Sequence, residues 1–261
     1  MTTAALRPTT RAPLEPVMNA LAVMAERYPV HGLARGLVVA DERGWTPASA
    51  LRDDAGLTEF LAAAQRRWPA APHVAAALGW KCYSYWAAVP AVLGYATALR
   101  VPLVRADDVL VRFFDRAPFL RLGLRHPDVA VLPGDPYAAA AARVVADEAA
   151  LLRELRESLL DGHLGPLAEG ISRGARLGRR TLLGSLAAGV GHALSRSAQA
   201  LPPARPALPT AEVILDALGV ADLVELTPRP HGRLFVQRRT CCLAFALPHP
   251  RTCVGCCIKD A

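Results

Sequence analysis

Residues 82–99 carry no charged side chain, and the apolar segment around them extends over residues 72–100. A run of this length has two stable environments, the interior of a folded domain or the hydrocarbon of a bilayer. Its content argues against lipid. Pro90 interrupts it, and Tyr83, Ser84, Tyr85, Tyr95 and Thr97 would carry hydroxyls into a medium that cannot hydrogen-bond them. The pattern predicts two buried helices meeting near Pro90, because proline lacks the N–H that a helix interior requires. The chain must then wrap a core around this segment, and with 261 residues, 52% of them apolar, it can do so without covalent crosslinks.

The flanking sequence supplies the wrapping. Leu14, Val17, Met18, Leu21, Met24 and Ala25 recur at helical spacing over 13–28, with Pro29 as a stop, and further helices are predicted over 57–67, 137–160 and 181–201. In the 137–160 helix the core stripe is Val144, Leu151, Leu152, Leu155 and Leu159, ended by Gly162. Short extended runs over 101–105, 109–114 and 129–132, punctuated by Asp, Pro and Gly, predict a small antiparallel sheet. The proline-rich stretch 201–209 forms a stiff connector, Thr210 caps a short helix over 211–218, and residues 234–237 alternate as a strand leading into Cys241. The expected fold class is α+β: a mainly α-helical body with a small antiparallel sheet over residues 1–209, then a C-terminal cysteine-rich, metal-binding segment over residues 210–261.

A net charge of +7 raises nucleic acid as a partner. Of the 30 basic residues, however, only Lys81 and Lys259 are lysines, and the arginines accompany a general richness in Ala, Leu, Val and Pro. The one local concentration is Arg173, Arg176, Arg179 and Arg180, with no aromatic-rich basic strand or zinc-finger spacing to read bases, so no nucleic-acid partner is expected. The first residues hold Arg7 and Arg11 but no apolar stretch of signal-peptide length, which places the chain in the cytoplasm, with peripheral contact at the inner face of the cell membrane left open.

In the cytosol thiols stay reduced, and clustered cysteines more often bind metal than pair as disulfides. Five of the six cysteines fall in the last 21 residues, with the spacing C-C-x10-C-x-x-C from Cys241 and Cys242 to Cys253 and Cys256. Four soft, anionic ligands in one short segment select zinc or an iron–sulfur cluster over hard cations. Structural zinc sites usually take two C-x2-4-C knuckles, and here only Cys253-Val-Gly-Cys256 is one. Adjacent residues in an extended chain point to opposite faces, so Cys241 and Cys242 reach a two-metal cluster more easily than a single ion. A Cys253–Cys256 redox switch is the third reading, without the strand-then-helix context such motifs keep. Cys82, in the apolar run, reads as a small buried hydrophobe.

The stretch Arg238-Arg239-Thr240-Cys241-Cys242-Leu243, the ten-residue spacer with Leu247-Pro248, and Cys253-x-x-Cys256 resemble the C-terminal signature of the FhuF-type ferric siderophore reductases. The resemblance covers about the last 24 residues. It implies that Cys241, Cys242, Cys253 and Cys256 hold a 2Fe–2S cluster, with Cys257, directly after the expected last ligand, as a substitute for Cys256 or a free thiol. It also implies a reaction: one-electron reduction of a ferric hydroxamate siderophore, releasing Fe(II), with electrons from a separate donor protein or reductant. The sequence has no G-x-S-x-G elbow or P-loop, and Gly189-Val-Gly191 lacks the third glycine of a dinucleotide fingerprint. Leu243, Phe245 and Leu247 alternate and are placed to dry one side of the site; His249 lies in the same spacer, and its protonation could couple to the electron. The arginines of 173–180 are a candidate face for an anionic electron donor. The aromatics Trp80, Tyr83, Tyr85 and Trp86 read as core. The competing class is a binding or scaffold protein with a structural zinc site made of four cysteines.

Overall fold

The computed structural model describes residues 12–258; the N-terminal leader reading and Lys259 lie outside them. After a single 3-10 turn, α1 (Glu15–Ala25) packs Val17, Ala20, Leu21 and Met24 inward. Strands β1 (Leu33–Val38) and β2 (Thr46–Pro47) precede α2 (Asp54–Arg67) and then α3 (Pro72–Ala98), around which the molecule is built. Four short strands follow, β3 (Arg100–Pro102), β4 (Val109–Phe113), β5 (Leu120–Leu124) and β6 (Val129–Val131), and then the two-residue β7 (Arg143–Val144). The rest is α4 (Glu148–Arg156), α5 (Gly165–Ala175), α6 (Arg179–Arg196), α7 (Ala207–Leu218) and a hairpin of β8 (Val224–Pro228) and β9 (Leu234–Arg238).

This is a mixed α+β fold with small sheets, as the composition of the segments predicts. The strands form three sheets, ordered β1-β5-β4-β2, β3-β6-β7 and β8-β9; β1–β5 and β6–β7 pair in parallel and the other pairs are antiparallel. The helical body and the segment from residue 210 share one core, since Ile214, Leu215, Leu218, Leu234 and Val236 belong to the same buried cluster as Trp80, Leu93 and Leu186.

The apolar run forms one helix, not two meeting at Pro90. α3 continues through that residue, which is itself buried. The lost hydrogen bond costs about 3 kcal/mol, and burial on all sides offsets it: Val89, Ala91, Val92 and Leu93 are each fully enclosed. The helix contacts α1, α2, α5, α6 and α7. Among the described residues no helix is long and apolar enough to cross a membrane.

Three other boundaries differ from expectation. The 137–160 helix begins only at α4, where the Asp147 side chain accepts from the Ala150 N–H, and Val144 lies exposed in β7. Gly162 does not end it, because a π-helical stretch, Glu157–Leu164, carries the chain into α5. α7 starts at Ala207, within the expected connector, with Pro209 tolerated in its first turn and Thr210 Oγ1 donating to the Pro206 carbonyl rather than capping.

The π-helical stretch buries His163. Its Nδ1 lies 2.7 Å from the Val104 carbonyl, which can only accept, so Nδ1 carries the proton and Nε2 accepts from Tyr83 Oη at 2.6 Å. Burial pushes His163 down to about 4 from an ordinary 6.5. Below pH 6.5 the unfolded chain takes up a proton that the folded one refuses until about pH 4, so stability falls as pH drops through that window. A shift of this size corresponds to about 3 kcal/mol. Urea unfolding at stepped pH should therefore show a shallower loss of stability between pH 6.5 and 4 for His163→Asn than for wild type; equal slopes would contradict the assignment.

Candidate metal centre and adjoining cavity

The cysteine loop is laid against β9. At the end of this strand, Arg238 is buried and reaches three places at once: its backbone N–H donates to the Gly255 carbonyl (2.9 Å), its Nε to the Thr240 carbonyl (3.1 Å) and its Nη2 to Ser185 Oγ on α6 (3.0 Å). Gln237 Nε2 donates to the Cys256 carbonyl at 3.3 Å. Two glycines make the approach possible. A Cβ on Gly255 would stand 1.8 Å from the Val236 carbonyl oxygen, and one on Gly184 would stand 1.9 Å from Thr240 Oγ1. The knuckle Cys253-Val-Gly-Cys256 and the Thr240-Cys241-Cys242 corner thus rest directly on the hairpin and on α6.

The adjacent cysteines diverge, as side chains of neighbouring residues do. Cys242 is buried and its Sγ meets Cys253 Sγ at 3.8 Å. Leu243 adopts a left-handed conformation (φ 62°), which turns the chain so that its N–H donates to Cys241 Sγ at 3.2 Å. Cys257 is half-buried, and burial followed by the nearby charges of Cys241 and Cys256 pushes its thiol up. Among the described residues no three or more His, Cys, Asp or Glu side chains are gathered tightly enough to hold a metal ion; the closest thiols come as a pair.

Lys81, on α3, faces that pair. Its Nζ donates to Cys253 Sγ at 3.5 Å and to Cys242 Sγ at 3.8 Å. Contact with Cys253, aided by Lys81, the Ala244 backbone N–H and Arg238, pushes the Cys242 thiol down, while contact with Cys242 and burial push Cys253 up. Lys81 thus favours the ionised form of both thiols. A satellite apolar cluster encloses Cys242: Val74, Leu78 and Ala244 are buried with it, and Trp68, Leu243 and Leu247 pack alongside. Of the expected drying residues, Leu243 and Leu247 join this cluster, and Phe245 is exposed.

Beside the thiols opens a cavity of about 400 Å³ whose wall includes Cys253. Its apolar lining includes Trp68, Leu78, Tyr85, Trp86 and Leu247. Its polar lining includes Lys81, His192, Arg196, Arg238 and Arg251. The aromatic segment of α3 is therefore divided: Trp80 and Tyr83 are core, with Trp80 Nε1 donating to the Leu182 carbonyl at 2.7 Å, while Tyr85 and Trp86 face the cavity. Cys82 is half-buried in the cavity wall rather than a core filler, and burial pushes its thiol up to about 11. His249 is exposed in the spacer and does not line the cavity. The histidine that does is His192, pushed down to about 4 by burial and by Arg196, Lys81 and Arg238. Arg173, Arg176, Arg179 and Arg180 are all exposed, and Arg180 pairs with Asp222 at 2.8 Å.

No protein-family model matches the chain, and no curated protein matches it.

The donor set suits a thiolate-held group. Two sulfurs bound at about 2.3 Å to one tetrahedral metal stand roughly 3.8 Å apart, the separation of Cys242 and Cys253. The seat of Gly255 on β9 is the point where this arrangement is most easily broken. Overpacking costs about 1–3 kcal/mol locally, so Gly255→Ala should raise the labelling rate of the buried Cys256 in metal-free, reduced protein by about tenfold or more. Helical circular dichroism should stay unchanged. An unaltered labelling rate would show that the knuckle does not depend on this contact.

Proposed function

We propose that this chain is a ferric siderophore reductase of the FhuF type, in which Cys241, Cys242, Cys253 and Cys256 hold a 2Fe–2S cluster. The observation that carries the reading is the division of the adjacent cysteines: Cys242 Sγ is paired with Cys253 Sγ at 3.8 Å, and Cys241 Sγ instead accepts from the Leu243 N–H. Adjacent thiols that diverge in this way suit two irons better than one zinc, and Cys253 forms part of a cavity wall.

A 2Fe–2S cluster bound there supplies one electron at a time. The protein's own groups do the rest. Lys81 and Arg238 place positive charge beside the thiolates and so favour gaining that electron, while Val74, Leu78, Leu243 and Leu247 keep water from Cys242. The cavity holds the ferric chelate against Cys253. One electron passes from the reduced protein to Fe(III), which becomes Fe(II); the hard oxygen ligands that grip the ferric ion hold the ferrous ion far less tightly, and the metal is released. The electron is restored by a separate donor protein, for which the exposed arginines 173–180 offer an anion-attracting face. The siderophore class implied by the resemblance is a hydroxamate, and the reaction belongs in the cytoplasm.

Anaerobic purification followed by iron, zinc and sulfide analysis and a visible spectrum tests this reading. The expected result is about two irons and two sulfides per chain, the composition of a 2Fe–2S centre, with visible bands that bleach on reduction. Cys→Ser at 241, 242, 253 or 256 should abolish the bands, and Cys257→Ser should keep them. One zinc, no sulfide and a featureless visible spectrum would overturn it in favour of a structural zinc protein.

A further inference from the structure

The cavity beside Cys253 has a charge that its neighbours do not cancel. Four cations line it, Lys81, Arg196, Arg238 and Arg251, and no carboxylate does among the described residues. None of the four makes a salt bridge to Asp or Glu among those residues either. Lys81 and Arg238 stand against the cysteines and answer the thiolates' charge. Arg196 and Arg251 have no such counterpart.

Arg196 is held ready. Its guanidinium lies over the rings of Tyr28 and Tyr85, 5.3 Å from each centroid, and Nη1 donates to Tyr85 Oη at 3.1 Å. Stacking of this kind fixes the plane of the guanidinium while leaving donors for a ligand. Arg251 is placed by its backbone N–H, which donates to the Ala244 carbonyl at 3.1 Å. The remaining polar groups are neutral: the Cys82 thiol and the His192 imidazole both resist ionisation at neutral pH. The aromatic residues Trp68, Tyr85 and Trp86 line the same cavity. A concave site lined by both cations and aromatic rings fits a ligand that is apolar at its margin and negatively charged at its oxygens.

We propose that this cavity is the binding site for a metal chelate of net negative charge, one whose catecholate or carboxylate oxygens exceed the charge of the metal, in preference to a neutral trihydroxamate; within the hydroxamate class implied by the resemblance, it favours complexes that also carry carboxylates. The role of the bound chelate as electron acceptor rests on the reductase reading; the charge selection does not. A negatively charged chelate gains attraction from Arg196 and Arg251 that a neutral one cannot, and that part of the affinity is screened by salt.

Gallium(III) complexes test the selection separately from the chemistry, because gallium occupies the ferric position and is not reduced. Titration of the purified protein, followed by tryptophan fluorescence and by calorimetry, would compare a triply negative gallium tricatecholate with a neutral gallium trihydroxamate. The tricatecholate should bind about tenfold tighter or better at low ionic strength, with the advantage shrinking as salt rises. Arg196→Gln and Arg251→Gln should each weaken the anionic complex severalfold more than the neutral one. Equal or tighter binding of the neutral complex, an advantage insensitive to salt, or no binding of either would overturn the proposal. Charge-selective binding of the gallium complexes with no reduction of their ferric counterparts would uphold the site and remove the reductase reading. Reduction of ferric chelates without charge selection would do the reverse.

Discussion

One arginine, Arg238, ties the cysteine loop to the rest of the molecule. It is 3% exposed, and its three hydrogen bonds go to oxygens of α6, of the Thr240 corner and of the Gly255 knuckle. A buried cation with only neutral oxygens around it is expensive to hold. The hydrogen bonds from its side chain lower that cost, and Arg238 adds to the positive charge that favours ionisation of Cys242. Arg238 supplies the anchors that hold the two ends of the loop on one strand.

The order of segments was largely legible because it depends on local patterns. The uncharged run read as buried helix, though as two segments rather than one, and the alternation over 234–237 read as a strand leading into Cys241. What failed were places where tertiary burial overrides a local rule. Pro90 breaks a helix that must stand alone but not one enclosed on every side. The parallel pairing of β1 with β5 joins segments distant in sequence, and β7, the parallel partner of β6, is only two residues long; strands this short carry little local signal. Gly162 resembles a helix end, yet a π-helical stretch absorbs it.

For the site, the cysteine spacing was readable, and the divergence of Cys241 from Cys242 follows from chain geometry alone. The groups around them were not. Lys81 lies 161 and 172 residues from the two thiols it touches, and Arg196 and His192 come from another helix again. One hint was present: Lys81 is one of two lysines in a chain whose other basic residues are all arginine. A compact ammonium with three donors can approach two sulfurs at once, where a planar guanidinium would present a fixed fork. The aromatic segment divided for a similar reason. One face of α3 meets the core at Trp80 and Tyr83 and another meets the cavity at Leu78, Lys81, Cys82, Tyr85 and Trp86, and sequence alone does not say which face another helix will cover.

A thiolate site, a cation over it and a charged cavity sharing Cys253 form one connected arrangement, and the account proposed for it is electron delivery to a ferric chelate in that cavity. The most direct test is a single turnover. Protein reduced anaerobically and freed of reductant is mixed with a ferric chelate in the presence of a ferrous-specific chromogenic trap, while the paramagnetic signal of the reduced protein is followed. The account predicts one ferrous ion trapped per signal-bearing chain, appearing at the rate at which the signal is lost, with both slowed when the gallium complex fills the cavity. A signal that persists beside the chelate, or a reduced protein with no paramagnetic signal at all, would contradict it.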